Sequence, residues 1–343
     1  MNIDDLIIKY GLTIGRRFTR KERNFFCNEI GKDFQALGYS VRGAIGKKKR
    51  TRGMNLMIGN VGKAKTIFVA HYDTLNHDFG NPIRYFPLDG NASFSSSFLP
   101  MNTPAILSMV LGLILLLGLG RKINFKDNLA MSVLILGVLI ALVVVSFMMT
   151  FRIGNKVNLN RNTSGVIAAY LIAQQLPEKL RDKVAFVLTD GGNGTHVGDY
   201  MLRDALPNTI KDRNVIILDC VGKGPRLGIG YFEASKTNAE KLEAIVKAKD
   251  PEAKLHTSLV DEDHVQYTSL SFYEKGMIVC RGKNLNGSLI VENTATNHDD
   301  EVEREKIEAL AADLTELAKQ ISEQEQSCFF LYSSSKTKGC GID

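Results

Sequence analysis

Histidine and aspartate recur in this chain at the ends of short apolar runs, a placement suited to metal or acid–base chemistry. His71 and Asp73 follow Thr66-Ile-Phe-Val-Ala70, Asp190 follows Val184-Ala-Phe-Val-Leu188-Thr189, and Asp219 follows Val215-Ile-Ile-Leu218. A further polar group, Asp261-Glu-Asp-His264, precedes Gly276-Met-Ile-Val-Cys280, and His298 stands with Asp299 and Asp300 before the last helical stretch. One such residue alone is most often a satisfied structural group. Recurrence at successive strand ends is different, because the strand ends of an open α/β sheet converge on one crevice. A divalent ion is what such a set of imidazoles and carboxylates would hold.

The elements that must position these residues alternate along the chain. Runs at 54–60, 66–71, 184–190, 214–220 and 276–280 are short and rich in β-branched residues, and read as strands. Stretches at 18–38, 164–177, 238–249 and 301–323 carry helical spacing. The strand runs do not alternate inside and out, so both faces of the sheet must be covered. The fold class is therefore α/β: a mainly parallel or mixed central sheet with helices on both faces. At 44% hydrophobic and 23% charged over 343 residues, wholesale disorder is excluded. Five cysteines without a paired spacing exclude a disulfide scaffold.

One segment breaks the pattern. Ala105 to Gly120 and Leu129 to Phe151 contain no charged residue, and only a short polar turn from Arg121 to Asn128 separates them. Each run approaches the twenty or so apolar residues that a bilayer requires. The expectation is a transmembrane helical hairpin at 99–151, with spans at about 99–120 and 129–151, inserted into one domain. Residues 1–98 form the first part of that domain, 152–324 the remainder, and 325–343 a flexible tail carrying Cys328 and Cys340. Two spans return the chain to the same side. The start, with Asp4, Asp5 and no extended apolar stretch, does not read as a signal peptide. The expected location is the cell membrane, multi-pass, with the soluble domain in the cytoplasm.

Several segments resemble the di-zinc aminopeptidases of the aminopeptidase S and Y type. Val69-Ala-His-Tyr-Asp-Thr74 is similar to that family's first metal motif, Arg161-Asn-Thr-Ser-Gly165 to its Asp-Asn-Ala-Ser-Gly, and Thr189-Asp-Gly-Gly-Asn193 to its Thr-Asp-Gly-Glu-Glu. Val215-Ile-Ile-Leu-Asp219 resembles the segment ending in a ligand Asp, and 261–280 the Ser-Asp-His segment with its following strand. The resemblance spans nearly all of the soluble parts in order and implies a zinc-exopeptidase-like fold. It implies His71 and Asp219 as metal ligands, Asp73 behind His71, and His264 in the nearby pocket. The departures bear on catalysis. The bridging Asp falls at Arg161, the general base Glu at Gly192, and the adjacent metal ligand Glu at Asn193. Two metal ions need a bridging anion to offset their repulsion. A guanidinium about 4 Å from a divalent ion is instead repelled by about 8 kcal/mol at an effective dielectric of about 20.

Two readings of function follow. In the first, the protein has lost di-zinc peptidase activity and binds a peptide, protein or lipid partner at the membrane. No cofactor is then expected, and Arg161 pairs with Asp219, alone or together with Asp73, where metal would sit. In the second, His71, Asp219 and His298 hold a single zinc, and Asp190 or His196 serves as base. The basic run Lys47 to Arg52 reads as a hairpin tip, either merely solvated or in contact with anionic lipid headgroups. Nucleic acid is not an expected partner, since no aromatic residue interleaves that run and no recognition motif accompanies it.

Overall fold

The computed structural model describes residues 1–48, 50–77, 84–119, 123, 125–151, 154–261 and 263–337, with the backbone alone at 101, 104, 119, 149–151 and 325–337. Among them ten strands form one mixed sheet: β1 (Val41–Lys48), β2 (Thr51–Ile58), β3 (Thr66–His71), β4 (Arg84–Tyr85), β5 (Val184–Thr189), β6 (Asn214–Leu218), β7 (Arg226–Tyr231), β8 (Leu255–Leu259), β9 (Gly276–Leu285) and β10 (Ser288–Glu292). The helices are α1 (Ile3–Leu6), α2 (Arg20–Ala36), α3 (Gly90–Leu119), α4 (Leu129–Phe151), α5 (Ser164–Gln175), α6 (Val197–Ala205), α7 (Lys236–Lys249) and α8 (Arg304–Thr337).

Along the sheet the strands lie in the order β1-β2-β5-β3-β6-β9-β10-β4, with β7 and β8 joined to the side of β9. The centre, β5-β3-β6-β9, is parallel, whereas β1, β2, β7 and β10 pair antiparallel to their neighbours around it. Every residue of β3, β5 and β6 is buried, which explains their unbroken apolar sequence. One face packs on α2, α5, α7 and α8 through residues such as Phe34, Phe186, Ile172 and Leu314. The other buries Ile67, Val187, Ile217 and Leu202. Helix α2 begins at Thr19, whose hydroxyl accepts the Glu22 amide while Glu22 accepts the Thr19 amide, a reciprocal cap legible as Thr-x-x-Glu.

Register carries the chemistry. In the parallel pairing His71 lies opposite Thr189, and Ala70 opposite Leu218, so His71, Thr189 and Asp219 emerge together at one edge. Helix α5 presses onto that edge. A Cβ on Gly165 would stand 2.4 Å from the Leu218 carbonyl oxygen, so only glycine allows the approach.

Helices α3 and α4 are long and apolar enough to cross a membrane, and little of either is buried against the domain. The first begins at Gly90 rather than at 99. The Asp89 carboxylate accepts the Ala92 amide at 2.9 Å and starts the helix there. Residues 90–98 are too polar to carry a hydropathy signal, so their helical state was hidden. The last helix likewise runs to Thr337, past the tail boundary expected at 324; the Cys328 side chain and Cys340 lie outside the described residues.

Candidate functional site

A cavity of about 420 Å³ opens at the carboxyl edge of the central strands, lined by His71, Arg161, Asn193, His196, Asp219 and Ser269, with α3 forming its outer wall. Its floor has two polar clusters.

The first is built on Arg161, which sits before α5 and is almost wholly buried. Its Nη1 lies 3.5 Å from Asp219 Oδ2, the pairing expected from the sequence. Its Nε donates to Asn193 Oδ1 at 3.2 Å, and its guanidinium lies 3.4 Å from the centre of the Tyr85 ring. Tyr85 also donates its hydroxyl to Asp219 Oδ2 at 2.5 Å, while the Cys220 thiol donates to Oδ1 at 3.3 Å. Burial opposes the charge on Arg161, but Asp219 overrides it and holds the guanidinium pKa well above its ordinary value. Asp73 does not join this pair. Its carboxylate accepts the Gly192 amide at 2.9 Å, the Asn193 amide at 3.4 Å and the Asn193 side chain at 3.1 Å.

The second cluster surrounds the Ser269 hydroxyl. Ser269 Oγ lies 2.5 Å from His71 Nε2, 2.9 Å from Asp199 Oδ2 and 3.3 Å from His196 Nδ1. The other His71 nitrogen meets the Thr189 hydroxyl at 2.7 Å. His196 Nδ1 lies 3.0 Å from Asp199 Oδ2 and its Nε2 3.1 Å from the Tyr267 carbonyl, while Tyr273 donates to Asp199 Oδ1 at 2.8 Å. One proton assignment satisfies every group: His71 Nε2–H donates to Ser269, Ser269 donates to Asp199, and His196 donates from both nitrogens. Burial disfavours that imidazolium, yet Asp199 outweighs burial and raises the His196 pKa. Burial likewise opposes the Asp199 anion, and His71, His196 and Tyr273 together lower its pKa nonetheless.

The sequence-predicted residues are only partly brought together. His71, Arg161, Asn193, His196 and Asp219 line the cavity. Asp190 faces away, held by Arg23 at 2.6 Å and the Met54 amide at 3.2 Å, so it is not placed to act as a base here. His264 is exposed and bonds Asp261 at 2.6 Å; its carbonyl holds the Gly90 amide at 2.8 Å, and the cavity wall is supplied instead by Tyr267, Thr268 and Ser269. His298 is exposed, and its amide turns back to Thr296 at 3.1 Å. The expected set of His71, Asp219 and His298 therefore does not assemble. Among the described residues the group that converges as metal ligands is His71, His196 and Asp199. Asp199 had a usable signal, the His-x-x-Asp spacing with His196 at a helix start. Ser269 and Tyr85 had none.

The two clusters would receive a zinc ion differently. Beside Asp219 a second metal ion does not fit, because a guanidinium already occupies its flank. At His71, His196 and Asp199 the ligand types suit a single zinc. An ion would there displace the Ser269 hydroxyl from the focus and a proton from His196.

Over most of its length the chain is similar in fold to solved structures of zinc-exopeptidase type. A Zn-dependent exopeptidase from Parabacteroides distasonis superposes with a TM-score of 0.56 at 12% identity, over 92% of this chain and 97% of that one. Porphyromonas gingivalis glutaminyl cyclase gives 0.58 at 12% identity, over 93% and 98%. A leucine aminopeptidase precursor from Bacteroides thetaiotaomicron gives 0.51 at 16% identity, over 92% and 96%. No sequence family and no curated protein matches the chain. The protein thus has the zinc-exopeptidase-like fold that the sequence motifs implied; the glutaminyl cyclases that share it were not among the resemblances read from the sequence.

Proposed function

We propose that this protein is a membrane-anchored member of the aminopeptidase-like group that has lost two-metal peptidase chemistry and uses the old active-site cavity to bind a ligand or partner. The observation that carries this reading is the Arg161–Asp219 pair, 3.5 Å apart, with Tyr85 stacked on the guanidinium. A shared anion is needed between two metal ions, and a cation stands at that position. The neighbouring loop agrees. A Cβ on Gly192 would fall 2.1 Å from the His71 ring, so no side chain, and no carboxylate base, has room there. The anchor is the α3–α4 hairpin, with the domain on the cytoplasmic face. The basic Lys47–Arg52 tip meets anionic headgroups; of its charges, Lys48 is also paired with Asp204 at 3.2 Å.

The test is thermal melting of the purified full chain with and without a chelator. Unchanged melting with chelator, together with a marked loss in Arg161→Ala, supports the reading. A chelator-induced drop accompanied by two bound metal ions per chain overturns it.

A second reading is favoured by the convergence of His71, His196 and Asp199. These three would hold one zinc, which when bound supplies a Lewis acid and an activated water. His71 and His196 would give their lone pairs, and Asp199, held in place by Tyr273, would give a carboxylate oxygen. Zinc titration followed by mass spectrometry distinguishes the two. In the zinc reading Ser269→Ala raises zinc affinity, and binding strengthens as pH rises past the His196 titration.

A further inference from the structure

We propose that the cavity binds a membrane amphiphile with an uncharged, hydrogen-bonding head, whose acyl chain lies in a groove between α3 and α4. The proposal rests on the reading above of a hairpin-anchored binding module, and names its ligand class.

The cavity is not confined to the domain. Phe94, Phe98 and Asn102 of α3 form part of its wall, and Phe94 stacks on Tyr267 with ring centres 5.3 Å apart. One turn further along, Ala105, Met109, Gly112 and Leu116 line a separate hollow of about 540 Å³, closed on its other side by Leu139, Val143 and Phe147 of α4. Positions 94, 98, 102, 105, 109, 112 and 116 are spaced by three and four, so they share one face of the helix. A single stripe therefore leads from the polar floor into the apolar hairpin. From Phe94 to Leu116 it spans about 33 Å at 1.5 Å per residue.

The small residues on this stripe leave space rather than close it. Nothing lies within 4 Å of where a Cβ on Gly112 would stand. An apolar hollow inside a bilayer takes an acyl chain, and this one ends one turn from a polar chamber.

The charge state of the chamber selects the head. Arg161 is matched by Asp219, and His196 by Asp199 directly behind it. The charged side chains of the lining are thus paired, and its other polar residues, Ser93, Ser97, Asn102, Asn193 and Thr294, are uncharged. A phosphate or ammonium head would have to break one of the buried pairs, whereas a hydroxyl or amide head would not.

The experiment uses the full chain reconstituted into phosphatidylcholine vesicles containing a diacylglycerol with a diazirine in its acyl chain. Photolabelled residues are mapped by mass spectrometry. Labels concentrated on Phe98, Asn102, Met109 and Leu116, and reduced at Phe98 and Asn102 by at least about tenfold in Gly112→Trp, support the proposal; that ratio corresponds to about 1.4 kcal/mol. The substitution meets no neighbour at its Cβ, so an unchanged melting temperature is expected alongside. Labels spread equally over the opposite face, at Leu107, Val110, Ile114 and Leu117, or insensitive to Gly112→Trp, overturn the proposal and indicate bulk lipid contact. Release of the chain from vesicles by alkaline washing would instead overturn the anchored reading itself, before labelling is examined.

Discussion

A buried guanidinium must have every part of its charge answered, and Arg161 has carboxylate, amide and ring partners on three sides. Removing it would leave Asp219 buried with only Tyr85 and the Cys220 thiol to satisfy it. Breaking a buried pair costs about 3–5 kcal/mol, so Arg161→Ala should lower the melting temperature by many degrees. Arg161→Lys should fall between, since lysine keeps the charge but loses the planar fork. His196 and Asp199 give a pH signature with a definite sign. A raised histidine pKa contributes stability that is full below its unfolded value near 6.5 and is lost as pH rises through the folded value. A lowered Asp199 pKa contributes stability that is present above about 3.8 and lost as pH falls through the folded value. Melting should therefore be highest between about pH 4 and 6.5 as far as this pair is concerned. His196→Gln should flatten the alkaline side of the profile, as differential scanning fluorimetry across pH would show.

At the scale of elements, the loop after β5 decides what the site can be. Gly191 takes a φ of 73° and His196 one of 48°, so the chain folds tightly enough to bring the Gly192 and Asn193 amides onto Asp73 and the Gly192 Cα against His71. Gly192→Glu would restore the residue type that the resemblance places there, but its Cβ would strike the imidazole. Overpacking of this kind costs about 1–3 kcal/mol, so the variant should melt lower and should gain no hydrolysis of aminoacyl substrates. The same scale shows what was legible beforehand. Strands β3, β5 and β6 were visible because burial on both faces makes them continuously apolar. Strands β7 and β8 were not, since Arg226-Leu-Gly-Ile-Gly-Tyr231 is broken by glycine and β8 is only half-buried, whereas β10 had a usable signal in the Asn286-Gly287 turn that joins it to β9. Helix α6 was hidden because it is short and opens with a left-handed histidine rather than a capping side chain. His264 and His298 were misplaced for a related reason. Nearness to a strand in sequence does not say which way a loop turns, and each is held locally, by Asp261 and Thr296 respectively.

At the scale of the molecule, the domain and the apolar hairpin meet at the root of α3. The Asp263–Tyr267 segment grips that root: the His264 carbonyl takes the Gly90 amide, the Asn91 side chain donates to the Asp263 carbonyl at 2.8 Å, and Tyr267 covers Phe94. Phe94→Ala should loosen the grip without unfolding the sheet. Limited proteolysis of vesicle-bound protein should then cut between 86 and 98 faster than in the parent, while the rest of the domain resists as before. The sealed floor of the cavity has a practical use as well. Cys220 is fully buried, adopts a φ of 52° and lies 3.7 Å from Arg161 Nη1, and burial pushes its thiol pKa well up. A maleimide in solution can reach that sulfur only while the packing around it is transiently open. In a chain whose other cysteines are replaced by serine, the speed of alkylation becomes a clock for breathing of the native protein, and any occupant that steadies the chamber would slow it.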